Sequence, residues 1–230
     1  MNASALDDLK RAAALKAVEY VRTGMIVGLG TGSTAKHVML ALGERIKKGL
    51  KIKGVPTSHE TARLARKARI PLLRDDEVWP IDVAIDGADQ VDGRLNLIKG
   101  GGGALLKEKI VAAAAKRFIV VVDHTKRVPV LGGSFPLPVE IIPFGWRNTV
   151  QRIEACGGAA VLRKRGGKIF KTEAGHYILD VHIERIDKPA ELELQLNALP
   201  GVVESGLFVA RTSVLIVGTP TGVEEQHAGY

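Results

Sequence analysis

One cysteine in 230 residues, Cys156, leaves no partner for an internal disulfide and no thiol cluster for a metal, which suits a reducing compartment such as the cytoplasm. Aromatic residues make up only 4% and do not interleave with the basic runs, so no stacking platform for single-stranded nucleic acid is visible. Zinc-finger spacing and RNP-like runs are missing as well. Nothing in the composition calls for a membrane. Met1 to Tyr20 carries Asp7, Asp8, Lys10 and Arg11 among alanines and leucines; it lacks the apolar centre of a signal peptide and reads as an amphipathic first helix. The six histidines are scattered. His176 and His182 share a strand face with Asp180, which a solvated face explains more cheaply than a metal site. No metal is assigned, and no Ser-His-Asp or Cys-His arrangement can be defended.

What is present is an ordinary globular balance, 46% hydrophobic and 25% charged, with a net charge of +8. The length allows one large α/β domain or one domain with a smaller companion. The basic residues cluster at Lys47, Lys48, Lys51 and Lys53, at Arg63, Arg66, Lys67 and Arg69, and at Arg163, Lys164, Arg165 and Lys168. Each run reads most simply as a solvated face. Taken with the missing aromatics, the charge favours phosphate on a small molecule over nucleic acid.

Three glycine-containing stretches carry the chemistry. Met25–Leu29 reads as a short buried strand that runs into Gly30-Thr31-Gly32-Ser33-Thr34. A helix follows, with Ala35, Val38, Met39 and Leu42 on its apolar face and Ser33 or Thr34 as N-cap. Strand, glycine turn and hydroxyl-rich helix start make a phosphate cradle. The spacing Gly28-x-Gly30-x-Gly32 is not the dinucleotide fingerprint; Lys51 and Lys53 stand where an acidic ribose ligand is expected, and no G-K-[ST] follows. A lone phosphate fits better than a nucleotide.

The second stretch, Asp86-Gly87-Ala88-Asp89, ends a strand marked by Ile81, Val83 and Ile85, which is where open parallel sheets place their sites. The third is Lys99 followed by Gly100, Gly101, Gly102 and Gly103, ahead of a helix over Ala104 to Ala115. Bare amides at a helix start attract an anion. Leu106, Ile110 and Ala114 are spaced to face the sheet, which puts Glu108 about 200° around from Leu106. From there it can point at a ligand near the glycines or face solvent. Lys126, after the strand Phe118 to Val122, can reach a phosphate or water.

Strands and helices alternate through the first half, predicting a Rossmann-like open, mostly parallel sheet with helices on both faces. From Val128 to Pro138 the composition turns to proline and glycine, and the rhythm beyond is βαββαβ, a smaller ferredoxin-like α+β domain. The predicted division is 1–130 with 207–230 for the first domain and 131–206 for the second, with Leu207 to Val209 and Val214 to Val217 returning to the first.

Gly28-Leu29-Gly30-Thr31-Gly32-Ser33-Thr34-Ala35, Asp86-Gly87-Ala88-Asp89 and Lys99-Gly100-Gly101-Gly102 with Lys107-Glu108-Lys109 stand in an order that closely resembles ribose-5-phosphate isomerase of the A type. The resemblance continues through Phe135-Pro136-Leu137-Pro138-Val139-Glu140, Leu199-Pro200-Gly201-Val202-Val203 and Val217-Gly218-Thr219-Pro220. Gln90 departs from it, since many relatives carry an acidic residue there. The resemblance implies interconversion of D-ribose 5-phosphate and D-ribulose 5-phosphate in the pentose phosphate pathway, without metal or organic cofactor, by a cytoplasmic homodimer or tetramer. It also implies Glu108 as the base, with Asp86, Asp89 and Lys99 around the sugar oxygens. Thr31, Gly32, Ser33, Thr34, Gly87, Ala88, Gly100, Gly101, Gly102 and Lys126 would hold the sugar phosphate. Other phosphosugar enzymes, such as a deaminase or a lactonase, fit less well because the DGAD and KGGG motifs coexist. A sugar-phosphate sensor would want a DNA-binding module, and no helix-turn-helix segment is left over.

Overall fold

The computed structural model describes residues 3–229. In chain order its first elements are α1 (Ala3–Ala17), β1 (Ile26–Leu29), α2 (Ser33–Lys47), β2 (Lys53–Pro56), α3 (His59–Lys67), β3 (Val83–Asp86), β4 (Gln90–Val91), β5 (Leu97–Ile98), α4 (Leu105–Ala114) and β6 (Phe118–Asp123). There follow β7 (Leu137–Ile141), α5 (Trp146–Ala155), β8 (Ala159–Leu162), β9 (Lys164–Arg165), β10 (Lys168–Ile169), β11 (Tyr177–His182), α6 (Pro189–Asn197), β12 (Val202–Ser205), β13 (Leu207–Phe208), β14 (Val214–Thr219) and β15 (Gly222–His227). The chain divides into two compact units.

The first unit holds the described residues up to Ala88, Lys107–Lys126, and those from Arg211 onward. Its sheet has the order β15-β14-β6-β3-β1-β2, parallel throughout except for the antiparallel edge strand β15. Alternate strand residues Val27, Leu29, Val83, Ile85, Ile119, Val121, Val214 and Ile216 pack with Ala13, Ala14 and Ala17 of α1 and Val38, Met39 and Leu42 of α2. On the opposite face Val111 of α4 lies over Gly28 and Ala84. Cover on both faces is why β6 and β14 are buried along their whole length and read as apolar runs up to Val122 and Val217. Each fully buried Leu, Ile or Val contributes about 1.5–3 kcal/mol through this packing. Ser58 caps α3, its Oγ accepting from the Thr61 amide at 3.1 Å. The cap of α2 is Gly32 rather than Ser33 or Thr34, because the helix begins at Ser33 itself and no side-chain cap bond forms.

The second unit holds Asp89–Leu106 and Arg127–Ala210. Its four-stranded antiparallel sheet has the order β12-β7-β11-β8. With α5 between β7 and β8 and α6 between β11 and β12, this is the ferredoxin-like βαββαβ pattern. A second, three-stranded sheet of order β13-β5-β4 belongs to the same unit. The compact units thus part from the predicted boundaries at 130/131 and 206/207: residues 89–106 group with the second unit, and Leu207–Phe208 do not return to the first. The cause is packing. Ile98 and Leu207 join Leu137, Val139, Leu179 and Val181 in the core of the second unit.

Candidate active site

In the first unit, β1 and β3 are adjacent and parallel, but the chain leaves β1 toward β2 and leaves β3 toward β6. Such a divergence opens a crevice at the carboxyl ends of the strands. Gly30, Thr31 and Asp86 meet there. The Thr31 and Gly87 amides donate to Asp86 Oδ1 at 3.1 and 2.8 Å, and the carboxylate is only 3% exposed. Gly30 makes this fit possible, since a Cβ on it would lie 2.2 Å from Asp86 Oδ1. The Thr31 hydroxyl turns inward, 2.7 Å from Thr57 Oγ1 and 2.9 Å from Ser58 Oγ. Thr61 completes this hydroxyl cluster by donating to the Gly30 carbonyl at 2.8 Å. Gly32 and Ser33 remain at the surface while Thr34 is buried near Gly87. The first amides of α2 have no acceptor within the helix, and the positive end of its dipole lies with them.

Two further groups of this unit follow from strand and helix ends. Lys10 of α1 holds its Nζ 3.4 Å from Ser33 Oγ and 3.8 Å from Asp123 Oδ2 at the end of β6. Asp123 also accepts from the Thr125 amide at 3.0 Å, in the short 3₁₀ turn His124–Lys126 that carries half-buried Lys126. Glu108 stands in the first turn of α4, 6% exposed. This corrects the predicted orientation of the helix. The buried stripe is Leu105, Glu108, Lys109 and Ala112, and Ile110 is 49% exposed. The apolar pattern pointed to the wrong side because two charged residues occupy the inner face.

In the second unit, Asp89 and the glycine run form one structure. Asp89 Oδ2 accepts from the Gly101 amide at 2.8 Å, and the Asp89 amide donates to the Ile98 carbonyl at 2.9 Å. Lys99 is 3% exposed, with its amide donating to the Gly206 carbonyl at 2.9 Å and its Nζ 5.5 Å from the centre of the Phe208 ring. Gly103 closes the turn by donating to the Gly100 carbonyl at 3.0 Å. Its φ of +90° and a Cβ position 2.4 Å from Phe170 Cζ both require glycine.

The first unit therefore gathers Thr31, Gly32, Ser33, Thr34, Asp86, Gly87 and Ala88 at one strand crevice, while Asp89, Lys99, Gly100, Gly101 and Gly102 belong to the second. Among the described residues no group of three or more His, Cys, Asp or Glu side chains could hold a metal ion.

The family model for ribose 5-phosphate isomerase A (phosphoriboisomerase A) matches residues 53–222. The chain belongs to the ribose-5-phosphate isomerase A family. A ribose-5-phosphate isomerase A from Gloeobacter violaceus is 52% identical over 220 residues, covering 95% of this chain and 96% of its own. A D-ribose-5-phosphate isomerase solved in complex with phospho-erythronic acid superposes with a TM-score of 0.94 at 41% identity, over 99% of this chain and 100% of its own. The ribose 5-phosphate isomerase A of Methanocaldococcus jannaschii gives 0.92 at 44% identity, over 96% and 99%. The activity is accordingly that of the family, interconversion of D-ribose 5-phosphate and D-ribulose 5-phosphate in the pentose phosphate pathway. Among the described residues no helix is long and apolar enough to cross a membrane.

Reading the sequence for ribose-5-phosphate isomerase motifs misses several groups that the structure places beside them. Lys10 lies in an unremarkable first helix, with no local signal at all. Thr57, Ser58 and Thr61 had one, since hydroxyls directly after a strand sit at the same sheet edge as the glycine turn.

Proposed function

We propose that Glu108 is the base that moves the carbon-bound proton. Its carboxylate takes the proton from C2 of the open-chain aldose, the electrons pass into the C1–C2 bond, and the C1 carbonyl oxygen becomes the enediolate oxygen. Return of that proton to C1, with transfer of the O2 proton to O1, gives the ketose. Lys99 and the amides of Gly100 and Gly102 stabilise the negative charge as it develops, while the Gly101 amide holds Asp89. Asp86 and Asp89 sit around O1 and O2 and relay the hydroxyl proton. Ser33, Thr34, Lys10 and Lys126 hold the phosphate, with Thr31, Gly32, Gly87 and Ala88 shaping the turn around it. No metal or organic cofactor enters this scheme, and a cytoplasmic homo-oligomer that binds no nucleic acid completes the reading.

The observation that carries it is the burial of Glu108 at 6% exposure, on a helix face otherwise lined by Leu105, Val111 and Ala112 beside Lys109. Packing alone would not place a carboxylate there, and titratable groups held out of water mark working sites. That a structural relative was solved in complex with phospho-erythronic acid supports the phosphosugar part of the reading.

The test is NMR of ribose 5-phosphate with the protein in D2O and EDTA, beside Glu108→Gln. Deuterium entering C1 of the ketose with wild type, and loss of isomerisation in the variant, are expected. Turnover persisting in Glu108→Gln would move the base to another residue. Loss of turnover in EDTA alone would contradict a metal-free reaction.

A further inference from the structure

Arg163 belongs to a basic run that reads from sequence as a solvated face, yet its side chain is only 11% exposed. It follows β8 directly, and the Arg163 amide donates to the Ile178 carbonyl at 2.9 Å, which anchors its backbone to β11. Each of its three guanidinium nitrogens has a partner. Nε donates to Asp180 Oδ2 at 2.9 Å and Nη2 donates to Asp180 Oδ1, a two-pronged pair. The remaining terminal nitrogen, Nη1, donates to the Gly100 carbonyl at 2.8 Å and the Gly101 carbonyl at 3.3 Å.

Those two carbonyls matter because of peptide geometry. In a planar trans peptide the C=O and the following N–H point in opposite directions. Holding the Gly100 carbonyl on Arg163 therefore turns the Gly101 amide to the other side, where it meets Asp89 Oδ2 at 2.8 Å. Holding the Gly101 carbonyl likewise turns the Gly102 amide away from Arg163. A run of glycines has almost no conformational preference of its own, so these directions are set by its partners: Arg163, Asp89 and the turn bond from the Gly103 amide to the Gly100 carbonyl. Phe170 contributes from below: it packs against Gly103, and the Arg163 and Arg165 guanidinium carbons lie 5.9 and 4.6 Å from its ring centre.

We infer that Arg163, clamped by Asp180, is a positioning residue for the isomerase reaction, fixing the peptide planes of Gly100 and Gly101 so that the Gly101 amide is held on Asp89 and the Gly102 amide faces the reacting sugar. The inference rests on the reading that Lys99–Gly102 hold the substrate. Arg163 itself touches neither sugar nor phosphate in this scheme. A lysine cannot replace it, because one ammonium lacks the fixed fork that grips a carboxylate and two carbonyls together.

The experiment measures kcat and KM for ribose 5-phosphate in Arg163→Ala, Arg163→Lys, Asp180→Asn and Lys99→Ala, together with the double variant Lys99→Ala/Arg163→Ala and thermal melts of each. Misplacement of about 1 Å lowers turnover about a hundredfold, and Arg163→Ala is expected to lose about that much in kcat/KM, mostly in kcat. Guanidinium ion, added far below unfolding concentrations, restores activity severalfold to Arg163→Ala, whereas ammonium does not. In the Lys99→Ala background the same substitution has a much smaller effect, because both act on one structure. Should Arg163→Ala fail to fold, Arg163→Lys and Asp180→Asn carry the test, with kcat lowered about tenfold or more at a melting temperature near wild type.

Two results overturn the inference. One is kcat/KM within about twofold of wild type in Arg163→Ala and Asp180→Asn while Lys99→Ala is inactive. The other is a loss that guanidinium does not relieve and that tracks the fall in melting temperature, which would make the pair structural only. Full activity in Lys99→Ala would instead refute the site assignment on which the inference rests.

Discussion

Gly30→Ala tests whether the crevice between β1 and β3 is as tightly built as its distances say. The new Cβ would lie 2.2, 2.3 and 2.6 Å from Oδ1, Cγ and Cβ of Asp86. Non-bonded carbons settle at about 3.5 Å or more, so the carboxylate must retreat by more than about 1 Å. It cannot do so freely, because Oδ1 holds the Thr31 and Gly87 amides at 3.1 and 2.8 Å. Moving it strains or breaks both bonds. Overpacking of this kind costs about 1–3 kcal/mol, and for a chain of this size each kcal/mol lowers the melting temperature by about 2–4 °C. A fall of roughly 2–12 °C is expected. The activity loss should be disproportionate, about a hundredfold in kcat/KM, since the displaced group is one proposed to act on the sugar oxygens. Melting curves and NMR-followed isomerisation measure the two effects. Gly93→Ala is the control, because a Cβ there meets nothing within 4 Å. Activity within about twofold of wild type in Gly30→Ala, or an equal loss in Gly93→Ala, would refute the reasoning.

Two further outcomes follow from single contacts. Lys10→Ala removes the ammonium held between Ser33 and Asp123; KM for ribose 5-phosphate should rise at least about tenfold with a smaller change in kcat, the value of one charge-assisted bond of about 1.5–3 kcal/mol, and an unchanged KM would remove Lys10 from the phosphate set. The hydrogen bond from Lys116, and then that from the Ile26 amide, hold the Asp82 carboxyl below the usual carboxylate range. A group that releases its proton more readily when folded stabilises the fold fully above its unfolded pKa, about 3.9, and less as pH falls through the depressed folded value. Asp82→Asn should therefore lower the melting temperature at neutral pH and converge with wild type in strong acid; a constant difference at all pH values would contradict this.

The order of strands and helices in the first half was legible because β1, β3, β6 and β14 are covered on both faces and so read as apolar runs. The motifs at their ends were legible for a related reason: turns that bring backbone against a carboxylate leave glycines, as at Gly30. What could not be read were features settled by partners distant in sequence. β5 is two residues long, and nothing in it tells that it pairs with β13 and β4. That pairing is what moves residues 89–106 into the second unit. The face of α4 was misjudged because periodicity counts apolar side chains, and here Glu108 and Lys109 are inside while Ile110 is out. Arg163 and Asp180 each looked like surface charges. Their pairing joins the end of β8 to the middle of β11, and nothing in either segment announces it.

The interleaving of the two units has a consequence for how the protein is made. Asp89–Leu106 and Arg127–Ala210 interrupt the first unit, and β14, which hydrogen-bonds to β6 on one side and β15 on the other, comes only after them. A ribosome adding roughly 5–20 residues per second thus releases β1, β3 and β6 several seconds before β14 can cover the open edge of β6. The second unit can close first. During that interval β6, apolar from Phe118 to Val122, presents an unpaired edge of the kind that invites strand-to-strand aggregation. Stalled or truncated chains ending before Val214 are then the species most in need of a chaperone.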